Sequence, residues 1–278
     1  MWLAIDGKIK YRAIVSDLDG TLLDPAGNLS DLTVETLNIL HARGLEIVIA
    51  TGRCDADARG IVDGLGFSPA IVSCNGAMVN IEGRPVADKR YFLPRDSQMM
   101  LMDYLFACPL HVTLFTQEGW MMAEENPHFA DYIKTSGVAC RYVEPEAMKR
   151  QPILKVLLQG EAALIERFYD EVSQAFGKTL SICKSSAETI DIMDKHISKA
   201  RSVADYLSAK QIAMRDCLSF GDVGDAMNDL DMLRWAGTGV VMGNAMGELK
   251  RALPFNPIAL PNSRNGVADY LCREFGLF

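Results

Sequence analysis

The chain has 278 residues, 49% of them hydrophobic and 23% charged, enough for one large or two modest globular domains. A net charge of −8 with no basic run argues against nucleic acid or an anionic membrane as a partner. The seven cysteines form no C-x-x-C pair and suggest reduced thiols rather than a disulfide framework; no apolar run is long enough to span a bilayer, and Met1 to Lys10, with Asp6 inside it, does not read as a signal peptide. Cytoplasm is the expected compartment.

In chain order, Ala13-Ile14-Val15-Ser16 predicts a buried parallel strand that runs into acidic residues and Gly20. Ser30 is a candidate N-cap for a helix carrying Leu32, Val34, Leu37 and Leu40, with Gly44 as its stop. Leu45 to Ala50 predicts a second strand ending at Thr51-Gly52-Arg53. A helix over 55–65 follows, and then a strand, Ala70 to Ser73, ending at Cys74-Asn75-Gly76. Strand and helix therefore alternate through the first 80 residues, the pattern of a parallel sheet with right-handed crossovers. Ligands of such sheets lie beyond the carboxyl ends of the strands, where these three polar strand ends converge.

The middle of the chain changes rhythm. Glu82-Gly83-Arg84-Pro85 reads as a turn. Helices are expected at 95–107, 127–136 and 161–176, and strands near 111–122, 139–143, 153–159, 179–184 and 188–193. Paired strands indicate a separate α+β domain. After Ser198 the βα rhythm returns, with helix 199–209, strand Cys217 to Phe220, a polar loop, a helix near 227–236, a strand over 239–242 and a helix near 265–275. The expected architecture is an α/β, Rossmann-like parallel-sheet core built from residues 1–84 and 195–278, with an α+β cap inserted over 85–194.

Asp17-Leu18-Asp19-Gly20-Thr21-Leu22 carries the strongest chemical signal. Two carboxylates one residue apart at a strand end can divide the work of phosphoryl transfer, one attacking phosphorus and the other moving protons. A calcium loop of the EF-hand kind would need Glu six residues after the glycine, and that position is Ala26. At Thr51-Gly52-Arg53, Thr51 offers a hydroxyl and Arg53 a charge to a phosphoryl group. Lys199 opens a helix, where a cation is unfavourable unless something compensates it. Gly221-Asp222-Val223-Gly224-Asp225-Ala226-Met227-Asn228-Asp229 concentrates negative charge that a cation would relieve.

In this order the four motifs resemble those of the haloacid dehalogenase-like hydrolases, and more narrowly the Cof-type (class IIB cap) sugar-phosphatase branch. Ser73-Cys74-Asn75-Gly76-Ala77 and Val241-Met242-Gly243-Asn244-Ala245 add to the likeness. The resemblance implies Asp17 as nucleophile and Mg2+ ligand. It implies Asp19 as general acid/base, holding the metal through its carbonyl, and Thr51 and Lys199 as holders of the phosphoryl group. Gly52, Arg53, Asn75, Gly76 and Asn228 would line the phosphate pocket, and Asp222, Asp225 or Asp229 would complete the metal shell.

The acidic loop is three residues longer than the family's Gly-Asp-x-x-Asn-Asp, so both Asp222 and Asp225 are candidates; Asp222 is preferred because it sits at the strand end beside Asp17. His196 and Ala200 replace the glycines that usually flank the family's Val-Ser-Lys. Trp120 and His111 are candidates to face the substrate from the cap. The activity expected is hydrolysis of a small phosphorylated metabolite, such as a sugar or cofactor phosphate, by a monomer or small homo-oligomer. The alternatives are a phosphomutase or phosphotransferase, and a non-catalytic phosphate-binding protein.

Overall fold

The computed structural model describes residues 10–81, 84–222 and 228–277. The expectations that fall on residues 1–9, on Glu82-Gly83 and on Asp225 lie outside that range.

Thirteen strands are described: β1 Ala13–Ser16, β2 Glu46–Ala50, β3 Ala70–Ser73, β4 Met78–Ile81, β5 Arg84–Arg90, β6 His111–Thr116, β7 Gly119–Met122, β8 Cys140–Tyr142, β9 Lys155–Gln159, β10 Leu180–Ser186, β11 Thr189–Asp194, β12 Cys217–Gly221 and β13 Thr238–Val241. The helices are α1 Asp31–Ala42, α2 Asp55–Val62, α3 Arg95–Leu105, α4 Ala130–Ser136, α5 Pro145–Met148, α6 Ala162–Phe176, α7 Lys199–Ala209, α8 Leu230–Trp235, α9 Gly247–Ala252 and α10 Gly266–Phe275.

A seven-stranded sheet runs β13-β12-β1-β2-β3-β4-β5. Its first five strands are parallel, and β4 and β5 add antiparallel to the edge. Both faces are covered, so alternate side chains enter different cores. Ile14, Ile47 and Ile49 join Leu37, Leu40, Val62 and Leu271 on one face. Ala13, Val15, Val48 and Ala50 meet Val203, Tyr206 and Leu207 of α7 on the other. Helix α1 begins as expected, with Ser30 Oγ accepting the Thr33 amide at 3.1 Å.

The cap is a six-stranded sheet of order β10-β11-β9-β6-β7-β8. Leu114, Met121, Val156 and Leu158 point to a core closed by Leu101, Met102 and Leu105 of α3 and by Ile165, Phe168 and Val172 of α6. The opposite face carries Phe115, Trp120, Met122 and Leu157, which pack with Cys54 and Cys74 in the turns after β2 and β3 and with Met78 of β4. That layer joins the two units.

The structure corrects the sequence reading at one boundary. The segment after residue 84 continues the large sheet as β5 rather than opening the cap, so the sheet extends to Arg90. Arg84 and Pro85 read as a turn because Pro removes a ladder donor, but it is tolerated on an edge strand. The short helices α5 and α9 were also not anticipated; four and six residues carry little periodic signal.

Candidate active site

The site forms where β1, β2, β3 and β12 end. The Asp17 amide donates to Phe220 O at 3.1 Å, extending the ladder between β1 and β12 by one rung and setting Asp17 at the mouth of the sheet. The chain then folds into a tight turn, Leu18–Leu22, in which Gly20 has φ +73°. A Cβ there would lie 2.1 Å from Asp222 Oδ2, so only glycine lets this turn approach the acidic loop. Asp222 follows β12; it accepts from Thr21 Oγ1 and from Asn244 Nδ2, both at 3.3 Å. Asn244 Nδ2 also donates to Gly20 O at 2.8 Å, tying the loop after β13 to the same turn.

Lys199 enters from the first position of α7. Its Nζ donates to Asp17 Oδ1 at 2.6 Å and to Asp229 Oδ1 at 2.9 Å, with all three side chains buried. Burial works against the ammonium, but Asp17 and Asp229 together outweigh it and hold the Lys199 pKa above its ordinary value. The same two carboxylates offset the unfavourable position of a cation at a helix start. His196 and Ala200 do not disturb this arrangement. Ser198 caps α7 by accepting the Arg201 amide, and Ala200 packs in the core beneath.

One ammonium faces three carboxylates here. Burial, reinforced by Asp229 and Asp222, raises the Asp17 pKa well above the usual carboxylate range despite Lys199. Burial and Asp229 push Asp222 up to about 6. Single carboxylate oxygens of Asp17, Asp222 and Asp229 all lie within 4.8 Å of one another. Such a set of hard oxygen donors with uncompensated charge fits a divalent cation of the magnesium or calcium type. The Asp19 carboxylate stands apart from this set. It sits, half exposed, in the fork of Arg53, with Nη2 to Oδ1 at 2.6 Å and Nε to Oδ2 at 2.8 Å.

The turns after β2 and β3 brace each other: Cys74 N donates to Arg53 O and Asn75 N to Thr51 O. Cys74 and Asn75 both have positive φ, at 50° and 54°, a strained pair held by these bonds. Asn228 Nδ2 donates to Asn75 Oδ1 at 3.2 Å. Gly52, Arg53, Asn75 and Asn228 line the cavity with Asp17, Asp19, Lys199, Asp222 and Asp229. Thr51 and Gly76 lie behind that wall. The Thr51 hydroxyl accepts the Arg53 amide at 3.1 Å. Gly76, with φ +105°, lets the backbone approach Ser198, where a Cβ would come within 2.5 Å of the Ser198 carbonyl oxygen. This packs the turn after β3 against the start of α7, which carries Lys199.

The cap roofs a cavity of about 380 Å³ with side chains that sequence reasoning mostly missed. Lys155, buried in β9, donates to Gly52 O at 3.0 Å, lies 3.1 Å from Asp191 Oδ1 and stands 4.2 Å over the Phe115 ring. Asp191 Oδ2 accepts from Asn75 Nδ2 at 2.9 Å. Tyr132 of α4 contacts Asp57 and lies 3.2 Å from Arg53 Nη1, which also meets Asp57 at 2.9 Å. Trp120 lines the cavity as expected, whereas His111 lines a separate, smaller cleft of about 160 Å³. A single Lys in the apolar run of β9 and a single Asp between Ile190 and Ile192 were the available signals, since a buried charge needs a partner.

Residues 14–271 match the family model described as haloacid dehalogenase-like hydrolase. The chain belongs to this family. It shares 32% identity over 274 residues with a Haemophilus influenzae protein named provisionally as a phosphatase, covering 97% of this chain and 98% of that one. It is 28% identical to an HMP-PP phosphatase of Escherichia coli, over 94% of each chain. The solved structure of a subclass IIB sugar phosphatase of the same superfamily superposes with a TM-score of 0.78 at 22% identity, covering 96% of this chain and all of that one. The fold is thus that of a capped phosphatase of this family. Among the described residues no helix is long and apolar enough to cross a membrane.

Proposed function

We propose that the enzyme is a Mg2+-dependent phosphatase that hydrolyses small phosphomonoesters through a phosphorylated Asp17. The observation that carries this reading is the meeting of Asp17, Asp222 and Asp229 with Lys199 beneath a capped cavity. Asp17, Asp222 and the carbonyl oxygen of Asp19 would hold the cation, with Asp229 beside them and Asp225 as a further candidate. A bound Mg2+ would supply positive charge against the phosphoryl oxygens and keep the carboxylates ionised.

Asp17 Oδ attacks phosphorus, and the bond from phosphorus to the ester oxygen breaks. Asp19, in its protonated form, gives its proton to the departing oxygen, so the leaving group departs as an alcohol. A water then attacks the phosphorus of phospho-Asp17 and loses a proton to Asp19. The acyl phosphate P–O bond breaks, returning the Asp17 carboxylate and inorganic phosphate. Lys199 orients Asp17 throughout and offsets charge on the phosphoryl group, supported by Gly52, Asn75 and Asn228, while Thr51 holds the turn behind them. Arg53 fixes where Asp19 waits. The cavity suits a small metabolite, and the cap excludes bulk water during the first displacement.

Phosphate release from acetyl phosphate tests the reading. Wild type should require Mg2+, Asp17→Asn should lose activity by at least about a thousandfold, and Asp222→Ala should need far more Mg2+ than Asp225→Ala. Unchanged turnover in Asp17→Asn would refute the mechanism.

A further inference from the structure

The roof of the cavity carries a chemistry that phosphoryl transfer does not use. Because side chains alternate along strands, one face of the cap sheet sets Phe115 and Trp120 side by side above the site, in register on β6 and β7. Phe129 and Tyr132 extend the layer. Trp120 is stacked on Tyr132, with centroids 5.5 Å apart and planes at 17°, and meets Phe129 edge-on at 5.2 Å. All four rings line the cavity.

The polar groups of this roof are largely committed to one another. Lys155 is taken by Gly52 O and Asp191, Asp191 Oδ2 by Asn75, and the Ser185 and Thr189 hydroxyls by each other at 2.9 Å. A sugar brings hydroxyls on successive carbons, and each one buried here without a partner would weaken binding roughly tenfold. A flat ring needs no such partners and gains from the faces and edges of the aromatic layer. Among the cavity-lining residues, Trp120 Nε1 is buried without a hydrogen-bond partner, whereas Asp191 Oδ1 is held by the Lys155 ammonium at 3.1 Å. The indole N–H is a donor, which suits a ring nitrogen of a heterocycle.

On the hydrolase reading above, we infer that the site takes phosphate esters of planar aromatic or heteroaromatic alcohols in preference to sugar phosphates, with Trp120 and Phe129 as specificity-determining side chains.

The test compares benzyl phosphate and pyridin-3-ylmethyl phosphate with glucose 6-phosphate, using acetyl phosphate as a substrate without a ring. Wild type should favour the aryl esters over glucose 6-phosphate by about tenfold or more in kcat/KM. Phe129→Leu and Trp120→Leu should each reduce the aryl-to-acetyl preference by roughly tenfold, through KM rather than kcat. Equal or better use of glucose 6-phosphate, or an unchanged aryl-to-acetyl ratio in both variants, would overturn the inference. If acetyl phosphate itself is not hydrolysed, the hydrolase reading fails, and ligand binding decides the rest without turnover. Saturable quenching of tryptophan fluorescence by pyridin-3-ylmethanol, weakened in Phe129→Leu, upholds the aromatic site, and no quenching overturns it.

Discussion

Asp222 carries a pH signature of the site. Its pKa of about 6 in the fold exceeds the usual carboxylate value near 4, and Asp17 is displaced in the same direction. Between these values the folded state binds more protons than the unfolded chain, so stability falls as pH rises through the window from about 4 to 6. Thermal unfolding in EDTA should therefore give a lower Tm at pH 7.5 than at pH 5, and saturating Mg2+ should raise the pH 7.5 value more than the pH 5 value. Equal effects of Mg2+ at both pH values would mean that the carboxylate cluster is not where the cation binds. Lys199 shows why burial alone is a poor guide to charge: its two carboxylate partners keep it an ammonium in a place that would otherwise favour the neutral amine.

The elements matter through their ends. Each of β1, β2, β3 and β12 stops at the same edge of the sheet, and the residues that follow are those proposed to do the chemistry while the strands supply rigidity. Gly76→Ala tests this dependence at one turn. A Cβ at that φ would press on the Ser198 carbonyl and shift the start of α7, costing about 1–3 kcal/mol and displacing Lys199. Urea unfolding and phosphate release should both suffer. Ser30→Ala, which removes the cap of α1 far from the cavity, should cost about 1 kcal/mol with kcat unchanged. If Gly76→Ala lowered stability but left activity intact, the turn would not be seating Lys199.

At the scale of the whole molecule, cap and core meet at polar contacts as well as at the apolar layer. Lys155 and Asp191 reach down to Gly52 and Asn75, and Tyr132 reaches Asp57 and Arg53, the residue that holds Asp19. The cap is thereby linked to Asp19, the proposed general acid. Tyr132→Phe keeps the ring and removes the hydroxyl. A lost hydrogen bond to a charged group is worth about 1.5–3 kcal/mol, so the Tm should fall, and kcat/KM should fall with it by roughly tenfold or more. An unchanged kcat/KM would show that the hydroxyl contact plays no part in linking the cap to Asp19.

Much of the core was legible in the sequence because its determinants are local. Short continuous apolar runs, Ser30 and Gly44 around α1, and the small polar residues that end each strand lie within a few positions of what they specify. They determined the parallel strands of the core and marked Asp17, Asp19, Lys199 and Asp222 as candidates. Tertiary structure alone decided which candidates meet. Lys199 is 182 positions from Asp17 and Asn75 is 116 from Asp191, and no spacing rule connects such residues. It also decided that Asp19 rests against Arg53, that Thr51 and Gly76 stand behind the wall, and that β4 and β5 widen the sheet. The physical reason is that a local pattern records whether a side chain is buried, whereas the partner it is buried against depends on how distant strands and helices stack.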